Sequence, residues 1–223
     1  MPPAAFPLRV DDTLSVSARL DGPAKAAAVY VFAHGAGAGM DHAFMAGMAA
    51  ALVREGIAVL RFQFPFMEVG SKRPDPAPLA QATIRAAVAR ARERLPKVPC
   101  FAGGKSFGGR MASQAQAEAP LDGVRGLAFI GFPLHPAGKP ATTRADHLAR
   151  VAIPMFFAQG TRDALAEPRL LRPVLQSLGK RATLLAIDEA DHAFHVPKRS
   201  GRDDAAVIEE IAAALAAWMR ANA

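Results

Sequence analysis

The chain has one cysteine, few aromatic residues and no long apolar run, and each shortage excludes something. Cys100 has no second thiol to pair with, so an internal disulfide is impossible. A reducing, cytoplasmic setting is the simplest expectation. Aromatic residues are 7% of the chain, with one Trp and one Tyr. They do not interleave with the basic residues, as a base-stacking surface requires. No apolar stretch reaches the length of a membrane span. The opening "MPPAAFPLRVDD" has neither the charged nor the apolar part of a secretory leader. No His, Cys and Asp cluster has metal-ligand spacing, so neither a metal nor another cofactor is expected.

Charge is the one excess. Lys and Arg number 27 against 20 Asp and Glu, for a net charge of +7. The basic residues are mostly arginines scattered through helical segments such as "RAAVARARERL" (residues 85–95). They read as solvated helix surface, not as a nucleic-acid or membrane footprint. The 223 residues suit one domain, residues 1–223, with a sizeable core.

Apolar runs and helical patterns alternate along the chain. "LSVSARL" (14–20), "AVYVFA" (28–33), "IAVLRFQF" (57–64), "VPCFAG" (98–103), "GLAFIGF" (126–132), "IPMFFAQ" (153–159) and "ATLLAID" (182–188) read as strands. Continuous apolar runs of this length predict strands buried on both faces. Helices are expected over 41–56, 85–95 and 107–119, and on a last segment with Val207, Ile211, Leu215 and Trp218 on one face. The alternation predicts an α/β domain: a mostly parallel sheet of about seven strands with helices on both faces. Function in such sheets sits at the carboxyl ends of the strands.

The stretch "FAGGKSFGGR" (101–110) admits two readings. A P-loop needs a glycine five residues before Gly104, and Pro99 stands there. The dinucleotide fingerprint fails likewise in "HGAGAGM", where Met40 replaces its third glycine. The G-x-S-x-G elbow fits: Gly104, Lys105, Ser106, Phe107, Gly108, between a strand and a helix. Such an elbow thrusts Ser106 out at the top of the sheet as a nucleophile. A bland alternative makes Ser106 a helix N-cap.

A nucleophilic serine needs a base, and the base needs an orienting acid, in chain order Ser, acid, His. "GTRDALAE" after one strand offers Asp163, with Glu167 and Asp188 as rivals. "EADHAFH" after the last strand offers His192, with His195 as its rival. "HGAGAG" (34–39) can aim backbone N–H groups, so the oxyanion donors are assigned to Ala36 and Phe107. His34, Gly35, Gly37, Phe66, Met67, Lys105 and His135 are expected to line the pocket, with "SKRPDPAPL" (71–79) as one rim. His34 is also the natural brace of its loop.

With these pieces in order, the chain resembles α/β hydrolases, and more closely a small cap-less subfamily related to dienelactone hydrolases and testis-expressed protein 30. The matching pieces are "AHGAGAGMDHAFM", "RFQFPFME", "GGKSFGGRMAS", "GFPLHPAGKP", "GTRDAL" and "DHAFHVPKRSGR". Gln63 departs from that pattern, which often has Asp or Asn there. The resemblance implies an α/β-hydrolase fold, with Ser106, Asp163 and His192 as nucleophile, acid and base. Dienelactone hydrolases use a cysteine nucleophile. A serine there implies hydrolysis of a small carboxylic ester or thioester through an acyl-enzyme. The alternative is a catalytically silent scaffold domain. The span from Gly131 to Ile153 is too short for a large cap. The expected partner is a small-molecule acyl ester or thioester; the oligomeric state is not legible.

Overall fold

The computed structural model describes residues 5–23 and 25–223. Eight strands form one sheet among these residues: β1 (Phe6–Arg9), β2 (Ser15–Asp21), β3 (Ala28–Ala33), β4 (Ile57–Phe62), β5 (Cys100–Lys105), β6 (Val124–Ile130), β7 (Met155–Gly160) and β8 (Ala182–Ile187). Their order is β1-β2-β4-β3-β5-β6-β7-β8. β1 pairs antiparallel with β2, and β2 antiparallel with β4; every other pairing is parallel. β1 is the strand the sequence pattern does not disclose. It has four residues and carries Pro7, which is tolerated because β1 is the sheet edge.

The helices are α1 (Ala43–Arg54), α2 (Pro65–Glu68), α3 (Ala77–Arg94), α4 (Phe107–Glu118), α5 (Pro168–Leu178) and α6 (Asp204–Ala221). β3, β4 and β7 are buried along their whole length because helices cover both faces. Alternation along β3 divides the core. Val29, Val31 and Ala33 face the side of α3, α4 and α5, while Ala28, Tyr30 and Phe32 face α1 and α6. Ile84, Val88, Met111, Ala115 and Leu171 complete the first layer; Met48, Leu52, Ile211 and Leu215 complete the second.

The helix ends follow local chemistry. Asp203 caps α6 by accepting from the Ala206 N–H at 2.7 Å. Gly56, at φ +77°, turns the chain out of α1 into β4. α3 begins at Ala77, so Pro78 and Leu79 belong to its first turn. α5 escapes the pattern reading because Pro168 and Pro173 interrupt it; Pro168 sits at its start, where no N–H is needed.

Between β6 and β7 the only helical element is a 3₁₀ stretch, Thr143–Arg150, packed on α4. No cap is inserted there among the described residues. The carboxyl ends of β3, β5, β7 and β8 therefore converge on an uncovered rim.

Candidate active site

β5 ends at Lys105 and α4 begins at Phe107, so one residue makes the turn. That residue, Ser106, has φ +48° and ψ −111°. A non-glycine residue there stores about 1–3 kcal/mol of strain and persists only where its surroundings force it. The force comes from close backbone approach. A Cβ at Gly104 would lie 2.3 Å from the Ala33 carbonyl oxygen, and one at Gly108 would lie 2.5 Å from that same oxygen. Only glycines let β5 and α4 close onto the end of β3. The Ser106 N–H donates to Ile130 O at 3.1 Å, and Ser106 O accepts from the Arg110 N–H at 3.1 Å. Ser106 occupies the N-cap position of α4, but its side chain makes no capping bond.

Its hydroxyl is instead 2.9 Å from His192 Nε2. His192 Nδ1 is 2.7 Å from Asp163 Oδ2. An ionised carboxylate only accepts, so Nδ1 carries the proton and Nε2 presents its lone pair to Ser106. Asp163 is buried, and three donors hold it. Besides His192 these are the Leu165 N–H on Oδ1, at 2.7 Å, and Gln159 Nε2 on Oδ2, at 2.5 Å. Gln159 Oε1 accepts from the Phe132 N–H at 2.9 Å, which fixes the amide. Sequence reasoning passed over Gln159. The available signal was a polar side chain closing an otherwise apolar strand.

The loop after β8 delivers His192. Asp191 Oδ1 accepts from the N–H groups of Ala193 and His195, at 2.8 and 2.9 Å, and folds the loop around itself. The rival groups are engaged elsewhere. His195 is exposed and pairs with Asp204 at 3.0 Å, which raises its pKa. Asp188 accepts from the Thr161 hydroxyl, and Glu167 pairs with Arg169.

A cavity of about 360 Å³ opens beside Ser106. Gly35, Ala36, Gly37 and Ala38 form one wall, and Phe44, Met45 and Leu165 supply apolar surface. Lys105 and His192 also border it. The N–H groups of Ala36 and Phe107 find no acceptor among the described residues; that of Phe107 is in the first turn of α4.

Four residues expected in the lining lie elsewhere. His34 is buried beneath the glycine turn: Nδ1–H donates to Gly35 O at 2.7 Å, and Nε2 accepts from the Phe64 N–H at 2.9 Å. It braces the loop. Phe66 is buried against the rings of His34 and Phe107. Met67 packs beside the Gly39 turn. His135 is buried and donates from Nδ1 to Pro136 O at 2.9 Å. The "SKRPDPAPL" segment does not rim this cavity either. Ser71, Arg73 and Pro74 line a separate groove with Leu14 and Val69. Gln63 also braces: its Oε1 accepts from the Met40 N–H at 2.9 Å and steadies the turn after β3.

A second serine–histidine contact joins α4 to the 3₁₀ stretch, where Ser113 Oγ lies 2.7 Å from His147 Nε2. The Ser113 hydroxyl donates to Arg110 O at 2.8 Å, so His147 must donate to Ser113 and cannot act as its base. Both residues are buried and neither borders the cavity beside Ser106. The pair fastens two elements.

His34 and His147 are both held neutral, burial lowering each pKa from 6.5 to about 4. An unfolded chain takes up these protons below pH 6.5, while the folded chain resists until about pH 4. The stability that each neutral histidine contributes is thus full above pH 6.5 and is lost as pH falls toward about 4. The melting temperature is expected to decline already from about pH 6.5 to 5, above the range of ordinary carboxylates. A flat melting temperature across that interval would contradict the neutral, buried assignment.

Residues 26–220 match the alpha/beta hydrolase domain family, and the chain belongs to it. Solved structures with this fold include a lidless α/β serine hydrolase from Xanthomonas campestris. It is 22% identical with a TM-score of 0.74, and the match covers 98% of this chain and 95% of that one. A dienelactone hydrolase from Anabaena variabilis is 19% identical with a TM-score of 0.74, over 95% of this chain and 96% of that one. Est1E from Butyrivibrio proteoclasticus is 15% identical with a TM-score of 0.72, over 97% and 99%; it has also been solved with ferulic acid bound. Among the described residues no helix is long and apolar enough to cross a membrane.

Proposed function

We propose that this chain is a serine hydrolase of small carboxylic esters or thioesters. The observation that carries the reading is the continuous path from Asp163 through His192 to Ser106, at 2.7 and 2.9 Å. Ser106 Oγ attacks the acyl carbonyl carbon while His192 Nε2 takes its proton. The carbonyl π electrons move to oxygen, and the Ala36 and Phe107 N–H groups receive that oxyanion. Collapse of the tetrahedral adduct expels the alcohol or thiol, which takes the proton from His192. Water then repeats the sequence on the acyl-enzyme and releases the acid. Asp163 keeps the imidazole in the working tautomer and stabilises its cationic form.

The acyl group is small and largely apolar. A cavity of about 360 Å³ walled by Ala36, Phe44, Met45 and Leu165 suits a short-chain or single-ring acyl group. Est1E, solved with ferulic acid bound, supports a single-ring acyl group as a candidate. The single buried thiol, Cys100, suits a reducing compartment, and we place the protein in the cytoplasm on that ground.

A fluorophosphonate probe followed by peptide mass spectrometry tests the reading. The expected adduct is on Ser106, absent in His192→Ala. A panel of acyl esters and thioesters should then favour short and monocyclic acyl groups over long chains. An unlabelled Ser106, under conditions that label a control hydrolase, would instead support a silent scaffold domain.

A further inference from the structure

Lys105 stands between the last residue of the β5 core and Ser106, and its side chain does something a solvated lysine does not. Its Nζ donates to the backbone carbonyl oxygen of His192 at 2.5 Å. The same ammonium lies 5.1 Å from the centre of the Phe194 ring and 5.8 Å from that of Phe44. It is set so close to β6 that a Cβ on Gly131 would come within 2.9 Å of it. Among the described residues it makes no ion pair with a carboxylate. A cation enclosed by two rings and one carbonyl gives up hydration without a counter-ion in contact. Replacing it by an uncharged side chain of similar length removes that desolvation cost and loses one hydrogen bond to the His192 carbonyl.

From these contacts we propose that Lys105 is a positioning residue for His192: its ammonium holds the histidine loop by the His192 carbonyl and keeps Nε2 aimed at Ser106. The inference rests on reading Ser106, His192 and Asp163 as the triad. The position next to the nucleophile matters. β5 ends at Lys105 and Ser106 is the next residue, so one strand end sets both the serine and the height of the histidine loop. His192 is otherwise held by its ring bonds and by a loop in which Glu189 and Phe194 have positive φ, +57° and +68°. Asp191 folds the loop on itself, and the Lys105 ammonium ties it to the end of β5.

The support is charged only over part of the working range. Burial pulls the Lys105 pKa from 10.5 down to about 8, against the opposing fields of Asp163 and Asp191. The ammonium is therefore present below about pH 8 and lost above it. The titratable groups around it are Asp163 from the end of β7, and Asp191 and His192 from the loop after β8; His42 borders the same cavity from the start of α1. The residue after β6, Gly131, faces it, and α1 presents Phe44.

The test is the rate of fluorophosphonate labelling at Ser106 as a function of pH, with melting temperature measured in parallel. The parent should slow above about pH 8. Lys105→Met should label about ten- to a hundredfold more slowly at neutral pH, lack that basic limb, and melt no lower than the parent. Labelling within about twofold of the parent, with the same basic limb, would overturn the proposal. If Lys105→Met melts low, Lys105→Cys treated with 2-bromoethylamine rebuilds a near-isosteric ammonium. Cys100 is buried with its thiol pushed up to about 12 and stays silent. Recovery of the labelling rate supports the proposal, and no recovery rejects it. If the parent itself is never labelled, the triad reading falls, but the contact remains readable. The His192 carbonyl ¹³C shift should then titrate with a midpoint near about pH 8, and a flat shift rejects the contact.

Discussion

Ser106→Ala is expected to lose at least about a thousandfold in turnover while keeping its fold. In the proposed mechanism the hydroxyl forms the acyl-enzyme, and the backbone at Ser106 does its structural work without it. The N–H and C=O of Ser106 are both bonded, and the side chain caps nothing. A companion variant separates reactivity from strain. Ser106→Gly removes the hydroxyl and also the Cβ that makes φ +48° unfavourable. It should be equally inactive yet more stable than the parent by about 1 kcal/mol. Ester turnover and thermal melting on the two variants read both effects. Near-parental turnover in Ser106→Ala would remove Ser106 as nucleophile. A glycine variant that melts lower than the parent would remove the strain argument.

Asp163→Asn should cost about ten-thousandfold in turnover, more than its single atom change implies. The carboxylate accepts from His192 Nδ1, Gln159 Nε2 and the Leu165 N–H. A carboxamide offers one acceptor oxygen and two N–H donors. Gln159 and His192 both converge on Oδ2, so an amide nitrogen on that side meets the Gln159 donor and turns His192 to accept at Nδ1. Its Nε2 then carries the proton and points a donor at Ser106, which leaves no base. Because Asp163 is buried, the mismatch also costs stability, about 1–3 kcal/mol for an unsatisfied buried donor. Gln159→Glu alone would replace the donor to Asp163 Oδ2 by a second buried carboxylate facing it. The check is turnover against pH, with ¹⁵N shifts of the His192 ring reporting the tautomer. Loss of less than about tenfold would mean that another group orients the histidine.

The chain announces some of this and conceals the rest, for physical reasons that differ by residue. β3, β4 and β7 declare themselves because a strand covered on both faces must be apolar throughout. β1 does not, because a short edge strand needs neither length nor a continuous apolar run. β8 is equally apolar but is a sheet edge with Thr183, Leu184 and Ala186 exposed, so its run does not mean burial on both faces. α5 hides behind two prolines: Pro168 opens the helix where no N–H is needed, and Pro173 lies inside it at the loss of one helical hydrogen bond. His34, Phe66, Met67 and His135 follow strands, and following a strand says nothing about which way a side chain leaves the backbone. Three of these are fully buried, and His34 holds the Phe64 N–H that no strand satisfies.

By itself the sequence determined the parts and their order: a parallel sheet, one glycine-flanked serine at a strand end, and an aspartate and a histidine after later strands. Local chemistry suffices for that, since burial, turn geometry and glycine placement leave marks within a few residues. Only the tertiary structure decided which parts meet. The 2.7 and 2.9 Å contacts join residues 29 and 86 positions apart in the chain, and sheet order alone brings them together. It also set His195 against Asp204, made His147 the donor to Ser113, and put the Lys105 ammonium under the His192 carbonyl. Distance and direction between remote side chains are properties of packing, and no local pattern carries them.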